Sequence, residues 1–296
     1  MERGDDTINS AAENALHLEL DKVEACFKSK ELSDFLSKYE RVIAIHNHAN
    51  PFTYFGINFK DNQVDCVKFY AHALADLSAE EMLEFIPTSS DYMKYHHLKN
   101  DEKKISGRNA GVALELKFKM TEKEPHSGFF YHVRNTTESL DELGFPAHLP
   151  SELKSDCVGL GVNFEYTNNK PLRKQYYYFN KPENKVFFEK KFGLSLLEEV
   201  RLIEYAESDL FAKINAYGHQ LFEIQDKAPT FTTKEKSVIA FFNKKYRLIN
   251  LGYGFYENKT IKSVYFFDGE SNINPGLAAA SDKSFHVSTL NKLIHG

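Results

Sequence analysis

Two short segments, Lys68-Phe-Tyr70 and Lys174-Gln-Tyr176-Tyr-Tyr178, set a lysine and a tyrosine two residues apart. Residues two apart share one face of an extended strand. Each segment would therefore present an ammonium group beside a phenol. Lys262 opens a third aromatic segment, Lys262-Ser-Val-Tyr-Phe-Phe267. Lysines converging on one place can hold a diphosphate through charge-assisted hydrogen bonds, with tyrosine hydroxyls as further donors. Aromatic faces nearby can shield a carbocation. The strands expected to pair with these segments would place Asn58, Lys60, Glu115, Lys117, Asn163, Glu165 and Tyr256 on the same face. Glu115 would then be positioned to take the proton of an attacking aromatic ring. Each residue also has a plainer use. Lysines protect exposed strand edges, half-buried tyrosines pack, and Glu115 can pair with Lys117 or Lys119.

Other candidate motifs carry less. His46-Asn-His48 and His96-His97 each offer two imidazoles but no nearby third metal ligand. Gly159-Leu-Gly161 lacks the later glycine and the helix of a dinucleotide loop. No Gly-x-Ser-x-Gly elbow or P-loop is present, which disfavours ordinary hydrolases and P-loop NTPases.

Strands and turns must position these groups. Cys157–Lys181 reads as two strands rich in β-branched and aromatic residues around Thr-Asn-Asn-Lys-Pro, the form of an antiparallel hairpin. Phe55-Gly-Ile-Asn-Phe-Lys60 matches Leu160-Gly-Val-Asn-Phe-Glu165 and Leu251-Gly-Tyr-Gly-Phe-Tyr256 position by position, and Val112-Ala-Leu-Glu-Leu-Lys117 is a looser copy. Each is followed by a turn and a second aromatic strand. Hairpins are thus expected near 52–74, 110–134, 157–181 and 248–268. Helical periodicity separates them. It covers residues 8–40, pieces from Ser78 and from Ser90 to Leu98, Leu140–Leu143, Pro150–Lys154 and Ser288–Ile294. The longest helical signal is Leu194–Phe222, with Leu197, Val200, Ile203, Leu210 and Ile214 at helical spacing. Arg41–Asn47 and Val238–Phe242 fit helix or strand and read better as helix. Lys99–Arg108 reads as a charged loop.

Composition limits the partners. The 296 residues are 42% hydrophobic and 27% charged, ordinary for a globular chain, while aromatics reach 14%. A net charge of -5 favours neither nucleic acid nor an anionic membrane. Cys26, Cys66 and Cys157 are odd in number and far apart, as expected of buried thiols in a reducing compartment. The start, Met-Glu-Arg-Gly-Asp-Asp, has no apolar signal region, and no run is apolar enough to span a bilayer. These features predict a cytoplasmic chain without membrane insertion. With no Pro/Ser/Gly-rich linker, residues 1–296 are expected to form a single domain. The class is α+β, an antiparallel β-barrel or strongly curved sheet of repeated hairpins surrounded by helices.

Over about residues 40–268, repeated helix–hairpin units with Lys-x-Tyr strands resemble the aromatic prenyltransferases of the ABBA type. The residues carrying the likeness are Lys68-Phe-Tyr70, Lys174-Gln-Tyr176, Gly56–Phe59 and Gly161–Phe164. The resemblance implies a barrel enclosing an active site inside a ring of helices. Four hairpins are legible where that family has five. No Asp-Asp-x-x-Asp motif is present, which disfavours trans-prenyl synthases and terpene cyclases and agrees with this family. The implied activity is transfer of a prenyl group from an allylic diphosphate to an electron-rich aromatic small molecule. Lys60, Lys68, Lys117, Lys174 and Lys262 would hold the diphosphate. Tyr70, Asn163, Tyr176, Tyr178 and Tyr256 would shield the cation and seat the substrate, and Glu115 would act as base. No cofactor is required, and Mg2+ on the diphosphate is allowed. Two alternatives stand beside this: a non-enzymatic barrel that binds a hydrophobic ligand, and an α+β interaction protein. An interior of converging lysine and tyrosine points to diphosphate, and an apolar lining points to a carrier.

Overall fold

The computed structural model describes residues 5–46, 52–73, 84–85, 112–134, 145–167, 170–196, 198, 200–208, 211–218, 231–256 and 259–267. Two helices, α1 (Asp5–Phe27) and α2 (Lys30–His46), precede the first hairpin, β1 (Phe52–Lys60) and β2 (Gln63–Ala73). A second hairpin follows, β3 (Val112–Lys119) and β4 (His126–Arg134). Helix α3 (Ser151–Asp156) leads into β5 (Cys157–Thr167) and β6 (Lys170–Phe179). Helix α4 (Pro182–Phe192) precedes β7 (Val200–Ser208) and β8 (Phe211–Gly218). Helix α5 (Thr233–Asn243) precedes β9 (Arg247–Tyr256) and β10 (Lys259–Phe267).

The ten strands form one closed antiparallel barrel in chain order, and β10 returns to pair with β1, Ile57 opposite Val264. Closure leaves no strand edge with unpaired backbone groups. The four expected hairpins are present. The fifth, β7–β8, replaces the helix expected over Leu194–Phe222. Both of its faces carry apolar side chains: Ile203, Tyr205, Ile214 and Ala216 on one, Leu202 and Ala206 on the other. Alternation is therefore blurred, and the remaining apolar spacing imitates a helix. Tertiary pairing decides the matter: β6 needs β7 on its free side, and β9 needs β8. The expected helices at Ser90–Leu98, Leu140–Leu143 and Ser288–Ile294, and the loop Lys99–Arg108, lie outside the described residues, as does the helix expected from Ser78 except for residues 84–85, which form a turn.

Local chemistry explains the ends. Asp61 and Asn62, both at positive φ (51° and 61°), make a two-residue turn that suits these two residue types. Pro182 opens α4, and Gly193 closes it in the left-handed conformation at φ 63°. The Thr232 hydroxyl accepts from the Glu235 amide, and the Glu235 carboxylate accepts from the Thr232 amide, capping α5.

The helices cover the outside of the barrel. Phe27 of α1 meets Phe55 and Phe69 edge to face at 5.1 and 4.9 Å, and Phe242 of α5 meets Phe55 at 5.8 Å. Phe188 of α4 packs on Phe179 and Tyr205. Ile57, Phe59, Val162 and Phe164 belong to this outer core, as the alternation predicts, so Asn58 and Asn163 point into the barrel. No helix among the described residues is long and apolar enough to cross a membrane.

The glycines of the matched strands have a specific use. Gly56 and Gly161 lie on the inner face, where a Cβ would come within 2.6 Å of the Tyr265 ring and 2.5 Å of the Phe130 ring. Bare backbone there lets an aromatic ring lie against the wall. Gly161→Ala is therefore expected to cost about 1–3 kcal/mol by overpacking. Phe130→Leu in the same chain should recover much of that loss, a coupling readable from urea unfolding of the two single variants and the double variant.

Candidate active site

The inner face of the barrel divides into two halves. Toward the end where β1 turns into β2 lies a charged network. Glu165 of β5 accepts from Lys117 of β3 at 2.6 Å and from Lys174 of β6 at 2.5 Å. Its carboxylate also stands 3.4 Å from Nδ1 of His126 on β4, whose Nε2 lies 2.5 Å from Glu122. Lys68 of β2 stands 4.0 Å from Glu115 of β3, and Asn163 of β5 donates to Glu115 at 3.0 Å. The side chains of Lys68, Lys117, Lys174, Glu115 and Glu165 are each nine-tenths buried or nearly so.

Burial on this scale moves pKa values. Burial pushes Glu165 up, but Lys174, His126, Lys117 and Lys68 outweigh it and hold the carboxyl well below its usual range. The Glu165 hydrogen bond raises His126 despite its burial. Burial lowers Lys174 to about 8, opposed by Glu165 and reinforced by the charges of Lys117 and Lys68. Lys68 and Lys117 are raised overall: burial pulls both down, while Tyr265 and Glu115 outweigh it at Lys68, and Glu165 does so at Lys117 against burial and Lys68 together. The geometry gathers three buried ammonium groups, Lys68, Lys117 and Lys174, around the carboxylates of Glu115 and Glu165.

Beyond Glu115 and Asn163 the lumen becomes a tyrosine chamber. Tyr54 and Tyr70 stack at 4.5 Å, and Phe130 meets Tyr176 edge to face at 4.6 Å. Tyr178, Tyr217, Tyr265, Ile249 and Asn250 complete its wall. Within it, Glu204 of β7 accepts from Asn215 and, at 2.9 Å, from the Tyr217 hydroxyl. Burial raises the Glu204 carboxyl, while Asn215, Tyr178, Lys213 and Tyr217 pull the other way. Lys213 of β8 donates to the Tyr265 hydroxyl at 2.8 Å. Side chains fill most of the chamber. The cavity offers about 40 Å³ to the centres of water-sized spheres, enough for water or an ammonium-sized group.

Most sequence-predicted residues meet here. Lys68, Lys117, Lys174, Glu115 and Asn163 share the charged network and its border. Tyr70, Tyr176 and Tyr178 line the chamber. Lys60 ends β1, half-buried, at the hairpin end. Lys262 is a correction. It lies on the outer face, bonded to Glu235 of α5 and 5.6 Å from the centre of the Phe231 ring. Counting from the turn puts the inner positions of β10 at Ser263 and Tyr265, so the match with Lys68 and Lys174 is one residue out of step. Tyr256 is the last residue of β9, and its side chain lies outside the described residues. Sequence reasoning missed Glu204, Lys213, Asn215 and Tyr217, because β7 and β8 read as helix. It also missed His126, for which no spacing signal exists, and Tyr54 and Tyr265, which the alternation in β1 and β10 could have shown.

The described strands thus form a closed antiparallel barrel with helices on its outside and polar side chains within. No protein-family model matches the chain, and no curated protein matches it. Among the described residues no three His, Cys, Asp or Glu side chains are grouped to hold a metal ion.

Proposed function

We propose that this barrel is an aromatic prenyltransferase, moving a prenyl group from an allylic diphosphate to an electron-rich aromatic acceptor. The observation that carries the reading is the convergence of Lys68, Lys117 and Lys174 inside a closed barrel, directly beneath a tyrosine-lined chamber. A buried excess of positive charge is costly unless an anion relieves it, and a diphosphate fits that need with charge-assisted hydrogen bonds. Lys68, Lys117 and Lys174 would take the diphosphate and draw off charge as the carbon–oxygen bond ionises. The rings of Tyr70 and Tyr176 would face the allylic cation. Glu115, at the border of the two halves, would receive the ring proton. A lumen lined in this way also disfavours the carrier alternative, which needs an apolar interior. Both substrates exceed the present cavity, so binding them requires its lining side chains to move.

Titration with dimethylallyl, geranyl and farnesyl diphosphates tests the reading. Saturable binding of at least one is expected, and none by the folded protein would overturn it. The pH profile adds a check on the site. Lys174 loses its proton near pH 8 in the free protein, so diphosphate affinity should begin to fall there, well below the ordinary lysine range. In Lys174→Met the residual affinity should lack that step.

A further inference from the structure

Four buried acceptor oxygens at the tyrosine chamber have no hydrogen-bond donor. Glu115 Oε1, Asn163 Oδ1, Asn215 Oδ1 and Asn250 Oδ1 all belong to residues lining it, all are buried, and none accepts a hydrogen bond. Asn250 is only 2% exposed, and Lys68 at 4.0 Å is beyond hydrogen-bond reach of Glu115. Buried acceptors are normally satisfied, so four orphans in one cavity mark what it is built to receive. All four are oxygens. Beside them sits the Glu204 carboxyl, 3% exposed, and around them stand the faces of Tyr54, Tyr70, Tyr176 and Tyr217.

Three ligand chemistries can be weighed against that lining. An anion could take the tyrosine hydroxyls, but it would leave the four acceptors unsatisfied and face the Glu204 carboxyl. A hydrocarbon would leave every orphan unsatisfied, at about 1–3 kcal/mol each. A protonated amino group brings three donors and one charge, which answers the acceptors, the Glu204 carboxylate and the aromatic faces together. An ammonium group is close to water in size and fits the open 40 Å³ without rearrangement. We infer that the chamber receives the protonated amino group of its ligand, with Glu204 as counter-charge and the orphaned amide oxygens as acceptors. Lys213, the lysine on the neighbouring strand, does not fill this role, because its ammonium is turned to the Tyr265 hydroxyl. On the prenyl-transfer reading the ligand is the aromatic acceptor, which the inference narrows to an amine-bearing phenol or indole.

Calorimetric titration without any diphosphate, using tyramine, 4-ethylphenol and 3-(4-hydroxyphenyl)propanoate, is decisive, because the three differ only at the tail. Tyramine should bind about tenfold or more tighter than 4-ethylphenol, the worth of one charged hydrogen bond, with the carboxylate weakest. In Glu204→Gln that preference should shrink to about threefold or less while 4-ethylphenol binds as before. Equal affinity for the amine and the neutral phenol, or no binding by any of the three, overturns the inference. Should Glu204→Gln fail to fold, the ranking on the unaltered protein still decides it. Tyramine preference with no diphosphate binding would remove the prenyl-transfer reading and leave the amine site standing.

Discussion

Lys174→Ala is expected to weaken diphosphate binding by roughly ten- to a hundredfold, the worth of a charge-assisted hydrogen bond of about 1.5–3 kcal/mol. Lys68→Ala should lose a similar amount, since both ammonium groups sit on the inner face at the same boundary of the lumen. Two comparisons give the measurement its meaning. Lys190→Ala, at an exposed position on α4, should leave the affinity unchanged. Lys262→Ala should separate stability from binding. Its ammonium neutralises Glu235, which is fully buried beneath the helix layer, so removing it strands a buried carboxylate. Breaking such a pair costs about 3–5 kcal/mol of stability. Yet the folded fraction of Lys262→Ala should bind diphosphate normally, because that lysine is outside the barrel. Calorimetry on each variant at neutral pH reads affinity, and urea unfolding reads stability. Equal weakening by Lys174→Ala and Lys262→Ala would show that the inner lysines have no special part in binding the anion.

That contrast between Lys174 and Lys262 also shows how far the sequence could be read. Strand alternation is a local signal with a period of two, so it sorted Ile57 from Asn58 and Val162 from Asn163 without knowledge of the rest of the chain. It sorted Lys68 and Lys174 to the inside for the same reason. Strand register has to be counted from the turn: Lys262 pairs with Phe59 and Tyr253 on the outer face, and Ser263 and Tyr265 alternate with it to the inside. Aligning strands by their leading lysine put Lys262 in a place that Ser263 occupies. The β7–β8 hairpin was hidden for a different reason. Its inner face mixes Leu202 and Ala206 with Glu204, so apolar residues recur at intervals that a helix would also produce. With that hairpin went Glu204, Asn215 and Tyr217 of the chamber's lining, and Lys213 bonded to Tyr265 beside them. What the sequence hid was the part of the site that only ring closure assembles.

Glu165→Gln should destabilise the ligand-free protein by about 3–5 kcal/mol, the usual cost of removing one partner from a buried ionic cluster. Glu165 is the common acceptor of Lys117 and Lys174 and faces His126, so the amide leaves two buried ammonium groups without their nearest counter-charge. The same substitution should increase the effect of diphosphate on stability, because the glutamate competes with the ligand for these lysines. Unfolding followed with and without inorganic diphosphate should therefore show a larger ligand-induced rise in Tm for Glu165→Gln than for the parent chain. Acid should reproduce part of the loss in the parent. The Glu165 pKa is depressed in the folded state, so its stabilisation is present above the unfolded carboxyl range near 4.3 and disappears as pH falls through the lower folded value. In Glu165→Gln that acid-sensitive component should be absent. A variant as stable as the parent, with an unchanged response to diphosphate, would mean that Lys117 and Lys174 find other counter-charges and that Glu165 does not hold the place of the anion.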